Sequence, residues 1–363
     1  MPAAPSSTGH QDFIDVGLPL RTPRLIMRAP VASDAVALHT RRNDPSVARW
    51  QSWLVPFPLK EAEAIIEGAA TMAGPTPDEW WMLTIETGSS EPEVGVVIGD
   101  VAIGLDPSGT IVELGYSLAT PSWGRGFATE AVAAVVDALF RSEPALVRIA
   151  ACLHPDNHAS AGVVERCGFL YEGRPRSSFP PRHENEGHSD GLIYGLTRAD
   201  HEQWIRRPAN RPQHVDLVEV TNDNLDEVFD LATHKSQERL VAPVSFSLGE
   251  ALHPPARDGT PVEVWHRAVM ADGELVGFVM MGFRPAMPAY LWRMLIDRRH
   301  QRRGIGRPAL DLVVEEARRR GATEVAVSWM PGTGSPEPFY LGYGFRPNGD
   351  ADDDGEIPGI LSI

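Results

Sequence analysis

Apolar positions along this chain follow two regimes, and the same succession of regimes occurs twice. Residues 111–119, IVELGYSLA, alternate with the period of a strand; a loop with two glycines follows, then apolar positions every three to four residues through FATEAVAAVVDAL. YLWRMLI (290–296) is again strand-like, and DRRHQRRGIGRPALDL (297–312) leads through two glycines into a helix-period stripe over 307–319. Gly126 and Gly304 correspond, 178 residues apart. Downstream, VVERCGFLYEG (163–173) matches FYLGYGFRPNG (339–349), pairing Gly168 with Gly344, 176 residues apart. Two features recurring at nearly one offset predict a duplicated domain.

The flanking pattern completes each copy. In the first, LIMRAP (25–30), WWMLTIE (80–86), VVIGDVAIGL (96–105) and VRIAACLHP (147–155) read as strands. ASDAVALHTRR (32–42) and SAGVVERC (160–167) read as helices, with two strands to finish. In the second, strands are predicted at LVEVT (217–221), VEVWHRAVM (262–270), LVGFVMMGF (275–283), EVAVSWM (324–330) and IPGILSI (357–363). Helices are predicted within 223–233 and 247–252, with a short one from 336. Antiparallel hairpins followed by strand–helix–strand predict an α/β (α+β) mixed sheet with helices on both faces. A cleft is expected where parallel strand ends meet the glycine loop. The polar, proline-containing stretch RRPANRPQH (206–214) marks the boundary near residue 210. Domains of 1–206 and 215–363, joined by a linker at 207–214, follow.

Composition narrows the function classes. The chain has 363 residues, 42% apolar and 23% charged, with a formal charge of −16. That charge argues against nucleic-acid or anionic-membrane partners and favours cationic ones. No apolar run approaches the ~20 residues of a membrane span, and MPAAPSSTGHQD lacks the basic start of a signal peptide. Two cysteines are too few for a disulfide framework, so the cytoplasm is the expected compartment. His183 and His188 flank acids in HENEGHSDG, but the spacing fits no zinc pattern, and no metal is expected.

The glycine loops carry the chemistry. A diphosphate is held by backbone N–H groups converging at a helix N-terminus, where glycine lets the chain come close. In QRRGIG (301–306) main-chain amides can wrap a phosphate, with Arg302, Arg303 or Arg307 neutralising charge and Pro308 fitting the first helical turn. WGRGFA (123–128) offers the same arrangement, with Ala128 as the second small residue and the hydroxyl of Thr129 beside it. Neither loop matches GxxxxGK[ST] or GxGxxG.

At these residues the sequence resembles the GNAT superfamily of acetyl-CoA-dependent N-acetyltransferases. The signature Q/R-x-x-G-x-G/A is intact as Gln301-Arg302-Arg303-Gly304-Ile305-Gly306; the first copy reads Trp123-Gly124-Arg125-Gly126-Phe127-Ala128, with tryptophan in the first place. Through WGRGFATEAV, NDPSVARW (43–50) and PDNHASAGVVERCGF (155–169) the first copy is similar to the bacterial RimJ/RimL-like branch. Through SQERLVAP, YLWRMLID, SPEPFYLGYGF and DGEI the second is similar to the spermidine/spermine acetyltransferase branch.

The resemblance implies two tandem GNAT folds and acetyl-CoA as co-substrate. It implies a V between two parallel strands, with a β-bulge re-aiming the first of them. The backbone at Leu118 and at Leu295–Ile296 would hold the thioester. Tyr340 takes the place of the family's general acid; in the first copy Ser160 is the candidate acid, Glu113 the base and Asn157 a pantetheine contact. The base of the second copy stays open among Glu263, Asp297 and a water chain. The acidic stretch DADDDGEIPG (350–359) suggests Asp354 and Glu356 as contacts for a cationic amine acceptor, with a solvated loop as the alternative. The resemblance implies amine acetylation, with polyamine, RimJ-like protein and mycothiol-synthase-like acceptors all open. A first domain that only binds acyl-CoA, and a homodimer of the chain, are further readings.

Overall fold

The structure is a computed structural model describing residues 13–181, 187–254, 261–332 and 334–363. The chain divides into two compact units, Met1–Ile205 and Arg206–Ile363. Of the histidines weighed as metal ligands, His183 lies outside the described residues and His188 is exposed.

The first unit runs β1 (Leu20–Arg21), β2 (Leu25–Arg28), α1 (Asp34–Arg42), α2 (Pro45–Ala48), α3 (Leu59–Thr71), β3 (Trp80–Thr87), β4 (Val97–Leu105) and β5 (Ile111–Leu118). It continues with α4 (Phe127–Ser142), β6 (Arg148–Leu153), α5 (His158–Arg166), β7 (Leu170–Gly173), β8 (Leu192–Thr197) and α6 (Arg198–Arg206). Among the described residues its eight strands lie in the order β1-β2-β3-β4-β5-β6-β8-β7, with β5 and β6 the one parallel neighbouring pair. The helical stripe predicted after the first glycine loop is α4, which buries Phe127, Ala131, Val132, Val135, Val136 and Leu139 against the sheet. Each such valine or leucine contributes roughly 1.5–3 kcal/mol by leaving water.

The second unit runs β9 (Val215–Val218), α7 (Leu225–Asp230), α8 (Val244–Leu252), β10 (Glu263–Ala271), β11 (Glu274–Phe283) and β12 (Ala289–Ile296). There follow α9 (Gly306–Arg319), β13 (Glu324–Trp329), α10 (Glu337–Tyr343), β14 (Arg346–Pro347) and β15 (Ile357–Ser362). The strand order is β14-β15-β13-β12-β11-β10-β9, again with one parallel pair, β12 and β13. Both sheets are mixed and covered by helices, as the alternation of periods requires.

Two details depart from expectation. Helices α2 and α3 occupy a stretch the apolar pattern leaves unassigned; α3 starts after Pro58 with no side-chain cap, so the usual start signal is missing. The expected β-bulge is present only once. In the second unit the register slips between Met280 and Met281, leaving Trp292 as an extra residue on β12. In the first, β4 and β5 pair without interruption from Gly99–Leu118 to Leu105–Val112.

Candidate functional site

In both units the two parallel strands pair for only three residues and then part. Ile111–Glu113 pair with Arg148–Ala150, and Ala289–Leu291 pair with Val325–Val327. Beyond these rungs each strand end stands free of its neighbour, which makes the V. Glycines opposite the free ends permit close approach: a Cβ on Gly99 would lie 2.4 Å from the carbonyl oxygen of Ser117, and one on Gly277 2.4 Å from that of Leu295. Gly99 pairs with Leu118 and Gly277 with Ile296, so the two copies match here as well.

The glycine loops follow directly. Gly124, Gly126 and Gly304 adopt left-handed φ of +72°, +79° and +79°. Arg302 shares that conformation with φ +65°. The first helical amide of α4 with a backbone acceptor is that of Glu130, on Gly126; in α9 it is that of Ala309, on Ile305. The amides before them are left without helical partners, the arrangement that can receive a phosphate. Gly306 is small for a different reason: a Cβ there would stand 3.3 Å from the Phe339 ring.

The tryptophan that breaks the signature does the work of the glutamine it replaces. Trp123 Nε1 donates to the Leu118 carbonyl at 2.8 Å, and Gln301 Nε2 donates to the Ile296 carbonyl at 3.1 Å. Leu118 and Ile296 are the last residues of β5 and β12, so each loop is tied to the strand end that faces the V. Gln301 also exchanges amide hydrogen bonds with Gln237, at 2.8 and 3.2 Å. Trp123→Phe, which keeps a ring and removes the donor, is expected to weaken CoA binding at the first loop about fivefold. Calorimetry in a Gly304→Asp background checks this; an unchanged affinity would deny the tie a role.

Several expected phosphate contacts are occupied or turned inward. The Arg303 side chain is buried, donating from Nε to the Asn210 carbonyl at 3.0 Å and from Nη1 to His300 Nδ1 at 2.8 Å. Phe127 and Ile305 are core side chains, so only their amides reach the loop surface. Arg125 is exposed and ion-paired with Glu91, while Thr129 Oγ1 accepts from Arg166 Nε at 3.2 Å. Ala128 is partly buried against the first core, and Arg302 and Arg307 stay exposed beside the second loop.

In the second unit a cleft of about 500 Å³ opens between the strand ends, lined by Leu295, Ile296, Gln301, Ser328, Tyr340 and Glu356 among others. Tyr340 is buried, stacked 5.7 Å from Trp329 and edge-on to Phe339 and Phe345. Burial, with Tyr290 nearby, holds its phenol well above the ordinary value, so it keeps its proton. Among the described residues no group hydrogen-bonds its hydroxyl.

Neither proposed base of the second copy lines the cleft. Glu263 opens β10 and pairs with Arg320. Asp297 is buried; desolvation alone would raise its carboxyl, but hydrogen bonds from the Ala232 amide and from Arg299 outweigh this and hold it below the usual range. That is a structural brace at the loop's entry. Asp354 sits at the exposed tip of the turn Asp352–Gly355, outside the cleft wall, because the Asp352 side chain and carbonyl draw that turn together. Glu356 does reach the wall.

In the first unit Glu113 stands on the last paired rung, opposite Ala150, and desolvation raises its carboxyl above the ordinary value. Ser160 Oγ lies 2.6 Å from the hydroxyl of Tyr116, which also donates to the Ser160 carbonyl at 3.0 Å. Tyr116 is a phenol at the V that the strand pattern presents merely as an inward apolar position. Asn157 caps α5, its Oδ1 accepting from the Ser160 amide at 3.1 Å.

Among the described residues no cluster of three His, Cys, Asp or Glu side chains is arranged to hold a metal, and no helix is long and apolar enough to cross a membrane. Two family models match the chain: an acetyltransferase (GNAT) domain over residues 24–170 and the acetyltransferase (GNAT) family over 227–345. The chain is similar to the uncharacterized N-acetyltransferase p20 of Bacillus licheniformis, 29% identical over 42% of this chain and 83% of that protein. It is also similar to the uncharacterized N-acetyltransferase YoaA of Bacillus subtilis, 28% identical over 49% of this chain and 96% of that one. Among solved structures, Mycobacterium smegmatis RimJ with CoA disulfide aligns at 20% identity and a TM-score of 0.41, over 53% of this chain and 90% of that chain. Two matched segments, each containing a splayed parallel pair and an amide-lined loop at a helix start, make this chain a tandem member of the GNAT family of acetyl-CoA-dependent N-acetyltransferases.

Proposed function

We propose that the second domain transfers acetyl from acetyl-CoA to the primary amine of a cationic small molecule, of polyamine type, by direct attack in a ternary complex. The observation that carries this reading is the single cleft wall shared by Ile296, Gln301, Tyr340 and Glu356. The loop 301–306 would hold the pyrophosphate, and the backbone at Leu295–Ile296 the thioester carbonyl. Tyr340 would donate to the departing sulfur, and Glu356 would meet the positively charged acceptor. The net charge of −16 supports a cationic partner. Two cysteines are too few for a disulfide framework, which favours the cytoplasm as the compartment of the reaction.

The first domain supports a second reading, acetylation of a protein N-terminus in the manner of its RimJ-like resemblance, because Glu113, Ser160 and the tied loop 123–128 are all present at its V. The mycothiol-synthase-like tandem and the purely acyl-CoA-binding first domain are the remaining alternatives. Thiol release from acetyl-CoA, followed with spermidine, putrescine, a neutral amine and a serine-initiated peptide, separates them. Spermidine and putrescine are expected to turn over fastest. Turnover of the peptide alone would reverse the assignment of acceptor and domain.

A further inference from the structure

Resting on that reading of the second cleft, we infer that Glu356 is its general base, held in position through Ser328 and Tyr290. The comparison of rungs leads there. Glu113 pairs with Gly104 and Tyr290 with Gly282, each glycine five places beyond the one that faces the strand end, so the two positions correspond once the bulge at Trp292 is allowed for; Glu113 stands opposite Ala150 and Tyr290 opposite Ala326. The residue two places along the partner strand is Cys152 in one copy and Ser328 in the other. Cys152 feels the charge of Glu113, so these positions adjoin across the strands. The second domain has therefore lost the carboxylate of its strand and keeps a hydroxyl in its place.

A carboxylate is nevertheless supplied at that spot, from the loop before β15. The Ser328 hydroxyl donates to Glu356 Oε2, and Tyr290 and Ser328 oxygens lie 2.8 Å apart. Ser328 has one hydroxyl proton, given to the carboxylate, so its oxygen accepts from Tyr290. Ser328 and Glu356 line the cleft, and Tyr290 supports them from behind. The other carboxylate of the wall, Glu238, is exposed and ion-paired with Lys235. The wall cation Arg293 is bound to Glu250 at 2.8 Å. Arg239, Tyr340 and, on Glu356's own loop, Asp352 complete the titratable groups around the base.

The step balances simply. The acceptor ammonium gives one proton to the Glu356 carboxylate, which becomes a carboxylic acid. The freed amine forms the amide C–N bond as the thioester C–S bond breaks, its remaining surplus proton leaves to solvent, and the CoA sulfur receives a hydrogen bond from Tyr340. Glu356 is the catalytic residue of this step; Ser328 and Tyr290 are positioning residues.

The test uses the full chain with Gly126→Asp silencing the first loop and the best amine of the panel above. With Glu356 present, kcat/KM is expected to be level from neutral pH up to the amine's own pKa of ~10.4. Glu356→Gln, which preserves size and the bond from Ser328, should lose about 10³-fold near neutral pH. Its rate should then climb about tenfold per pH unit toward ~10.4, because only free amine reacts. CoA affinity should be unchanged. Ser328→Ala and Tyr290→Phe remove the groups that aim the carboxylate and should lower kcat with amine KM unchanged, Ser328→Thr should restore it, and Glu356→Asp should restore a level profile at reduced rate. A level profile in Glu356→Gln, or a rise in amine KM alone, would overturn the assignment. Absence of transfer with Glu356 intact would instead remove the parent reading, and this base with it.

Discussion

Gly304→Asp is expected to weaken CoA binding at the second domain by about 10³-fold or more, leaving the first domain's binding intact. Gly304 has φ +79°, a conformation that costs an L-residue roughly 1–2 kcal/mol. A Cβ there would meet only the Arg211 side chain, at 3.5 Å, so the fold itself tolerates the added atoms. The large term is charge. A carboxylate about 4 Å from a diphosphate oxygen repels it by about 4 kcal/mol at an effective dielectric near 20. Gly304→Ala carries the strain without the charge, and should lose roughly tenfold. Calorimetric titration with CoA reads both effects, and equal losses for alanine and aspartate would show that no phosphate sits at this loop.

The next largest effect is expected from Tyr340→Phe, which should lower kcat at the second domain about 10²-fold with CoA affinity unchanged. The substitution keeps the ring that stacks on Trp329 and meets Phe339 and Phe345, so the wall of the cleft survives. It removes a hydroxyl that hydrogen-bonds no described residue, so thermal stability should not fall. Because burial raises this phenol, complete proton transfer to an ordinary thiolate, with a pKa of ~8.5, is uphill. Its contribution is a hydrogen bond to the developing sulfur charge. No limb of the pH profile should therefore belong to Tyr340, and wild-type kcat in Tyr340→Phe would make it a packing residue only.

The duplication was legible in the chain because glycine positions are dictated by backbone geometry. Gly126 and Gly304 are both left-handed at a loop that opens a helix, and no side chain substitutes freely there. Strand and helix periods likewise follow from burial, and α4, α9 and the parallel pairs fall where those periods place them. The chemistry was less legible. Tyr290, Ser328 and Glu356 meet from three segments with no fixed spacing, so Tyr290 and Ser328 read alone as ordinary strand residues and Glu356 only as an acceptor contact on an acidic loop. Trp123 looks like a lost signature because residue type changes from amide to indole. What is retained is an N–H aimed at the strand-end carbonyl, visible only in three dimensions. The bulge at Trp292 leaves no mark in the apolar pattern either, since Trp, Arg and Met near the strand end are all partly buried.

The most direct test of the account is acetyl-CoA turnover over the amine panel by two full-length variants, Gly126→Asp and Gly304→Asp, each made separately. The account predicts that transfer to spermidine survives Gly126→Asp and is lost in Gly304→Asp. Loss in Gly126→Asp with survival in Gly304→Asp would place the reaction in the first domain and contradict it.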